Sequence, residues 1–539
     1  MCVNFRPACA NSLTLAILCI AFLQLPLWAQ FPGVLTVHND NARTGQNLYE
    51  TILTPSKISN PARFGKLGSF AVQGQVYAQP LYVPVGTHGL TKNLLYVATE
   101  QDMVYAFDAD NPGSAPVWSV NLVPAGRSWK QCVVKNCTVC PDVGITGTPV
   151  IDPASGTLYL VARTVNYNNN PPLFYQTIHE LDIATGTDKL QADIPSDQYF
   201  SPAQEGQRVG LLLNNGILYA AWWSEGQGGH GVLKGFNVTN LEQTAEFVTV
   251  PTPGAPPSTQ GGIWMSGGGL AADVSGFVYL EIGDGIYDGL TNWGDSILKL
   301  DCSTPNCTVA DWFTPHTQGI LYQDDIDLGS SGLMLLPSQC TSGCAHPDEL
   351  IGGGKDGNIY VLDRDNFGKY NPNQNLNVQT VKGTTKNALY ASPASWTDSS
   401  GTEHVYEGPT NGPLRMYNLN SSKGILSTGP TSATQYAYPG PTPSVSANGA
   451  VNGIVWAIQR ANTGYSNSCN PTMNGILHAY DATNVSTELY NTTMCPTRDV
   501  MAPATKFSVP TIASGRVYVA TSGGEVDVYG IYSTNQSCQ

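Results

Sequence analysis

The chain is 539 residues long with 56 Gly, 37 Pro and 26 Tyr, and only 12% of its residues are charged. Forty acidic against 25 basic residues leave a net charge of −15, which argues against a nucleic-acid partner held through phosphate contacts. Scarce Lys, Glu and Arg exclude long solvent-facing helices, and 41% hydrophobic content excludes wholesale disorder.

The first element in chain order, residues 1–29, reads as a secretory signal. Arg6 supplies the positive end, residues 13–25 are almost entirely apolar, and Leu27-Trp28-Ala29 before Gln30 forms a cleavage site. The alternative is a membrane anchor, but the apolar run is short for a span and no second one follows. The expectation is therefore an exported protein, periplasmic or extracellular, with no membrane span once the signal is removed. Of 13 cysteines, the signal takes Cys2, Cys9 and Cys19, and the even remainder suggests disulfides. Cys302/Cys307 and Cys340/Cys344 are close pairs and Cys469/Cys495 a longer loop; Cys132, Cys137, Cys140 and Cys538 complete the set. Spacing does not fix their connectivity.

Residues 30–63 are expected to form an N-terminal strap, and residues 64–539 a single repeat domain. Hairpin phrases recur: YVATEQDMVYAFDA from Tyr96, IYVLDRD from Ile359, LHAYDATN from Leu477 and YVATSGGEVDVYG from Tyr518. Each alternates apolar and polar residues on both sides of a short turn, the pattern of a hairpin with one buried face. The second strand of the phrase ends at Asp108, Asp182, Asn237, Asp301, Asp363, Asn418 and Asp481, at intervals of 55 to 74 residues, with Gly530 in the last copy. Each unit reads as four antiparallel strands, and eight such units make an all-β, eight-bladed β-propeller. The last copy, from Phe507, lacks its outermost strand. Residues 66–72 are expected to supply it and close the ring, removing an exposed edge.

The phrase LDIATGTDKL from Leu181 resembles the repeat of pyrroloquinoline quinone (PQQ) dehydrogenases. The ordered series GGIWMSGGG, YLEIGDGIYDGLTNWGDS, WFTPH and GGGKDGNIYVLDRDN, between Gly261 and Tyr370, is similar to that family's. The resemblance spans nearly the whole chain after the signal. It implies an eight-bladed propeller carrying PQQ and Ca²⁺ on its axis. Oxidising an alcohol with a quinone needs a base for the hydroxyl proton and a hard cation, held by oxygen ligands, that polarises a ring carbonyl. By resemblance, Asp295 takes the place of the catalytic base and, with Glu225 and Asp284, of the metal ligands. Trp264 takes the place of the stacking platform, Lys355 of a cation on the quinone oxygens, and Cys137 and Cys140 of the family's adjacent cysteine pair. Each has a plainer alternative: Asp284 and Asp295 as turn residues, Trp264 as a core ring between blades, Lys355 as a hairpin-turn lysine, Glu225 as a surface acid.

The departures are specific. Cys137 and Cys140 are separated by two residues, and Ser296 replaces the Asn that should follow the base. The Trp that should end each repeat survives clearly only at Trp118 and Trp312. Two functions follow. The first is an exported PQQ- and Ca²⁺-dependent dehydrogenase acting on an alcohol or sugar. The second is a non-catalytic propeller that binds a protein or polysaccharide at its rim. His38, His316 and His346 lie in no nucleophile motif, so hydrolase chemistry is set aside.

Overall fold

Beyond Met1, a computed structural model describes residues 31–132, 139–224, 229–252, 259–340, 343–460 and 473–538. From Pro32 onward strand follows strand, building eight small antiparallel sheets around a hub: an eight-bladed β-propeller. Among the described residues the α-helices are two short ones, Pro55–Ile58 and Gln318–Gln323, and none is long and apolar enough to cross a membrane. Blade 5 shows the plan: Met334–Leu335 lies innermost, then Glu349–Gly353, Ile359–Asp363 and Gln379–Val381. Phe64–Ala71 pairs antiparallel with Glu525–Ile531 and completes blade 8, as the strand count requires.

The recurring acid has a local cause. In Asp108, Asp182, Asn237, Asp301, Asp363 and Asp481, the side-chain Oδ1 accepts the backbone N–H two residues on, at 2.8 to 3.2 Å. Only Asp and Asn have the short side chain that closes this turn, and it stops the third strand of each blade. Asn418 departs, because its strand runs on to Asn420; its Oδ1 instead meets His404 Nδ1 at 2.7 Å.

Tyrosines tie neighbouring blades together. Tyr96 Oη donates to Ile183 O (2.9 Å), Tyr406 Oη to Ala482 O (2.6 Å) and Tyr518 Oη to Ala109 O (3.1 Å). Each joins the second strand of one blade to the carbonyl just after the turn acid of the next blade. Trp118 adds a Nε1–H bond to the same Ile183 O at 3.0 Å, locking blade 1 to blade 2. A buried ring with a satisfied hydroxyl serves as such a lock without stranding a polar atom.

Disulfides join Cys302 to Cys307 and Cys340 to Cys344, matching the two close pairs. Cys495 bonds Cys538 rather than Cys469, with Cα atoms 4.9 Å apart. The chain's end returns along the first blade-8 residues, Tyr532 N–H to Arg63 O and Gln536 N–H to Ala62 O, which carries Cys538 to Cys495. Cys132 and Cys140 are both disulfide-bonded, while Cys137 and Cys469 lie outside the described residues.

Residues 34–50 circle the hub and touch the blades in order. Val34 pairs with Tyr82 of blade 1, and Leu35 O accepts Ile151 N–H of blade 2 at 2.8 Å. Asn41 Nδ2 donates to Leu213 O of blade 3 (2.9 Å), and Asn41 O accepts Ala272 N–H of blade 4 (2.8 Å). Ala42, Thr44 and Gly45 carbonyls accept Leu335, Ser395 and Val445 N–H from blades 5, 6 and 7 at 2.8, 2.9 and 2.8 Å. Asn47 Nδ2 reaches Ile512 O of blade 8 at 2.9 Å. At the centre Arg43, 1% exposed, donates to Leu270 O, Thr36 Oγ1, Val37 O, Asp40 O and Leu211 O.

Replacing Arg43 by Met strands several buried oxygens at once, and we expect a loss of about 3 kcal/mol or more in urea unfolding. His38, 1% exposed beside Arg43, has its pKa pushed down to about 4, first by burial and then by the Arg43 charge. The unfolded chain takes up that proton below pH ~6.5, so this histidine withdraws stability as pH falls from there to about 4, by about 3 kcal/mol in all. His38→Asn, which tolerates the left-handed backbone at this position (φ 52), should remove that part of the acid sensitivity in pH-dependent unfolding.

Candidate functional site

A few residues ahead of the innermost strands of blades 3 to 8, the connection from the preceding blade turns a side chain towards the hub. Arg208 precedes Leu212–Asn214, Trp264 precedes Ala271–Ala272, and Asp327 precedes Met334–Leu335. Tyr390, Tyr438 and Lys506 hold the equivalent places ahead of Ala394–Thr397, Ser444–Asn448 and Thr511–Ala513. Ends of second strands add Asp284 and Lys355. These side chains, with Trp223, Asp325 and Phe507, line one cavity of about 330 Å³ at the hub. The strap binds farther along the same innermost strands, so cavity and strap occupy successive levels of the hub.

One end of the cavity is acidic. Carboxylate oxygens of Asp284, Asp325 and Asp327 all lie within 4.8 Å of one another, close enough to ligate a single cation. Asp284 N–H donates to Asp327 Oδ1 at 2.8 Å, and Lys355 Nζ bridges Asp325 Oδ1 (2.9 Å) and Asp327 Oδ2 (2.5 Å). Burial opposes the Lys355 charge, but the two aspartates outweigh it and hold the ammonium well above its usual range. Two glycines permit this closeness: a Cβ on Gly283 would lie 2.5 Å from Asp327 Oδ1, and one on Gly354 2.4 Å from Leu328 O. Beside the acids stand aromatic rings. Trp264 lies 6.3 Å from Tyr390 and 5.9 Å from Lys355 Nζ, and Tyr390 lies 5.2 Å from Tyr438.

The other end is basic. Arg208, 4% exposed, lies over the Phe507 ring at 4.3 Å, and its Nη2 has no hydrogen-bond partner among the described residues. Lys506 is 5% exposed. Its amine is pulled down to about 8, first by burial and then by Arg208 and Arg460. Met265, Ser266, Asp325 and Phe507, all at or beside the cavity, have left-handed backbones, with φ 40, 48, 54 and 64. Such conformations cost of order 1 kcal/mol each and gather where a site over-determines its geometry.

Of the residues singled out in the sequence, Trp264, Asp284 and Lys355 share the cavity. Asp295 is fully buried behind it and is not among the lining residues. Its Oδ1 accepts Leu328 N–H at 3.2 Å, and burial, then Asp327, raises its pKa well above the ordinary carboxylate range. Cys140 is buried and is not among the lining residues. Glu225 and Cys137 lie outside the described residues. Asp325 and Asp327 were missed in YQDDIDLGS, which reads locally as an acidic turn. Arg208, Tyr390, Tyr438 and Lys506 were missed because they sit in irregular connections. Their shared place, four to seven residues ahead of an innermost strand, is the signal that finds them.

No family model matches the chain, and neither does any curated protein. Solved structures do match. The quinohemoprotein alcohol dehydrogenase of Comamonas testosteroni has TM-score 0.59 at 13% identity, over 94% of this chain and 82% of that one. The quinohemoprotein alcohol dehydrogenase ADHIIG of Pseudomonas putida HK5 gives 0.61 at 11%, over 94% and 81%. A europium-containing methanol dehydrogenase gives 0.58 at 13%, over 93% and 98%. The chain has the fold of these quinoprotein dehydrogenases.

The Lys355 ammonium competes with any cation seated between Asp325 and Asp327. Lys355→Met should therefore tighten calcium binding by about tenfold or more in titration calorimetry, and Asp327→Asn should weaken it by a similar factor.

Proposed function

We propose that the protein is a quinoprotein-like dehydrogenase that binds PQQ and Ca²⁺ in the hub cavity and oxidises a small alcohol or a sugar. The observation that carries this reading is the meeting of three carboxylates, a lysine and an aromatic platform in one cavity of a quinoprotein fold. The donor set fits the group: Trp264 and Tyr390 offer faces to a flat ring, Asp284, Asp325 and Asp327 offer hard oxygens to a cation, and Lys355 and Arg208 face acid or carbonyl oxygens. The quinone, when bound, supplies the hydride acceptor.

The chain's own part is binding, proton removal and exclusion of water. Asp295 would need to leave its buried position to touch a substrate, so the base role passes to Asp325. Asp325 is exposed and lines the cavity, and among the described residues only its Oδ1 is engaged, by Lys355. Its Oδ2 would take the hydroxyl proton. Asp327, with one oxygen on Asp284 N–H and the other on Lys355, positions both neighbours. Asp295 supports the Leu328 turn beneath them.

The test is a PQQ titration followed by absorbance, with and without calcium, alongside alcohol-dependent reduction of an artificial electron acceptor. Wild type should show a calcium-dependent spectral change and turnover. Asp325→Asn should keep the spectral change and lose turnover by about 10²- to 10⁴-fold. Asp295→Asn should lose far less. No spectral change in wild type would overturn the proposal and leave a propeller that binds without quinone chemistry.

A further inference from the structure

The tyrosines that tie blades together share one register place. Tyr96, Tyr406 and Tyr518 each pair with the first residue of their blade's innermost strand, Leu81, Ala394 and Thr511. Tyr219 of blade 3 stands at the same place, opposite Leu212, and is 4% exposed. Its counterpart acceptor is Cys302 O, just after the turn acid Asp301 of blade 4. That bond is not made, and the Tyr219 hydroxyl has no hydrogen-bond partner among the described residues. Tyr159 and Tyr279 also hold this place, but they turn to their own blades. Tyr279 donates to Asp273 Oδ2 at 2.7 Å, and Tyr159 lies against Ser155 and Thr157. Where the Tyr219 lock is open, a cavity of about 660 Å³ lies between blades 3 and 4, a size typical of small-molecule sites.

This cavity is on the opposite face of the ring from the hub site. Innermost strands run away from their lead-ins at the hub site, and the third strand of a blade runs parallel to the first. The turn after Leu212–Asn214 and the turn after Ile297–Asp301 both lie at those far ends, and both line the cavity. Its outer wall is firm. The Cys302–Cys307 disulfide closes the loop at 303–306, Glu246 N–H donates to Pro305 O (2.9 Å), and Cys307 N–H donates to Glu246 O (3.0 Å).

The lining offers hydroxyls and amides rather than charge. Asn214, Asn215 and Ser275 stand with the Tyr219 hydroxyl, and Phe277 and Ile217 add half-buried apolar surface. Asp301 is the one charged lining residue among those described; the Ser303 N–H and hydroxyl hold its pKa below the ordinary range, so it accepts hydrogen bonds. Lys299 lies outside the lining, over the Phe277 ring at 4.5 Å, and donates to Arg364 O at 2.9 Å. A wall without cations disfavours an anionic ligand, and one carboxylate is too few for a metal ion. A ring with hydroxyls on its rim and C–H bonds on its faces matches this mixture. We propose that the cavity binds a neutral oligosaccharide, with Tyr219 and Asp301 on its hydroxyls and Phe277 against a sugar face. The site needs neither quinone nor metal, so it goes beyond the dehydrogenase reading and stands without it.

The test uses the whole protein, free of PQQ, with maltotetraose, cellotetraose, xylotetraose and mannotetraose, in saturation-transfer NMR and titration calorimetry. We expect at least one of them to bind. Tyr219→Phe should weaken that binder about tenfold, the worth of one hydrogen bond. It should leave the urea midpoint unchanged, because the hydroxyl has no partner to lose. Ser275→Trp, on an exposed turn, should fill the cavity and abolish binding. Adding PQQ or replacing Trp264 by Phe should leave the sugar affinity as it was. Binding of none of the four, or binding that survives both cavity variants, would overturn the proposal. Loss of binding on adding PQQ would put the sugar in the hub and overturn it too, whereas failure of PQQ itself to bind leaves this site intact. Tighter binding of tetragalacturonate than of the neutral sugars would overturn the neutral assignment.

Discussion

An innermost propeller strand has only one neighbour in its own sheet, and its other edge faces the hub. Eight such edges present N–H and C=O groups that must be paired or hydrated. Residues 34–50 answer that constraint by giving each blade at least one hydrogen bond in turn, from Val34 on blade 1 to Asn47 on blade 8. The coil is tight enough to demand left-handed backbones at His38, Asn39 and Arg43. It also demands a buried guanidinium whose hydrogens are spent on main-chain and hydroxyl oxygens. Everything above depends on it, because the loops that line the cavity are the lead-ins to the strands that the strap holds.

The cavity separates charge along its length. Three carboxylates crowd one end and are tempered by Lys355; at the other, Arg208 and Lys506 stand near an acid that burial tends to keep neutral. A flat molecule with acid groups on one side and carbonyl oxygens on the other would match that polarity.

The propeller was legible in the sequence because its rules are local. The turn acids recur since an Asx turn needs Asp or Asn, and the missing strand of blade 8 follows from counting alternating runs. Trp264, Asp284 and Lys355 were legible because they sit in short ordered phrases at strand ends. Asp295 looked equivalent to them, yet its phrase folds inward, with Asp295 N–H on Gly283 O and its carboxyl under Leu328. Asp325 and Asp327 carry no mark of their own in sequence. They are drawn together with Asp284 by glycines that let one connection settle on another, a tertiary event that no spacing encodes. The tyrosine locks were equally hidden, since a tyrosine on a half-buried strand is common and its hydroxyl finds a partner only when the next blade is in place.

A ring floored by its own N-terminal coil turns the central space into a cul-de-sac. Whatever enters must leave by the same door, so a spent molecule blocks its successor until it backs out. A long polymer, unable to thread through, can offer only its tip. A ligand at that depth must be a chain end or a compound small enough to turn around.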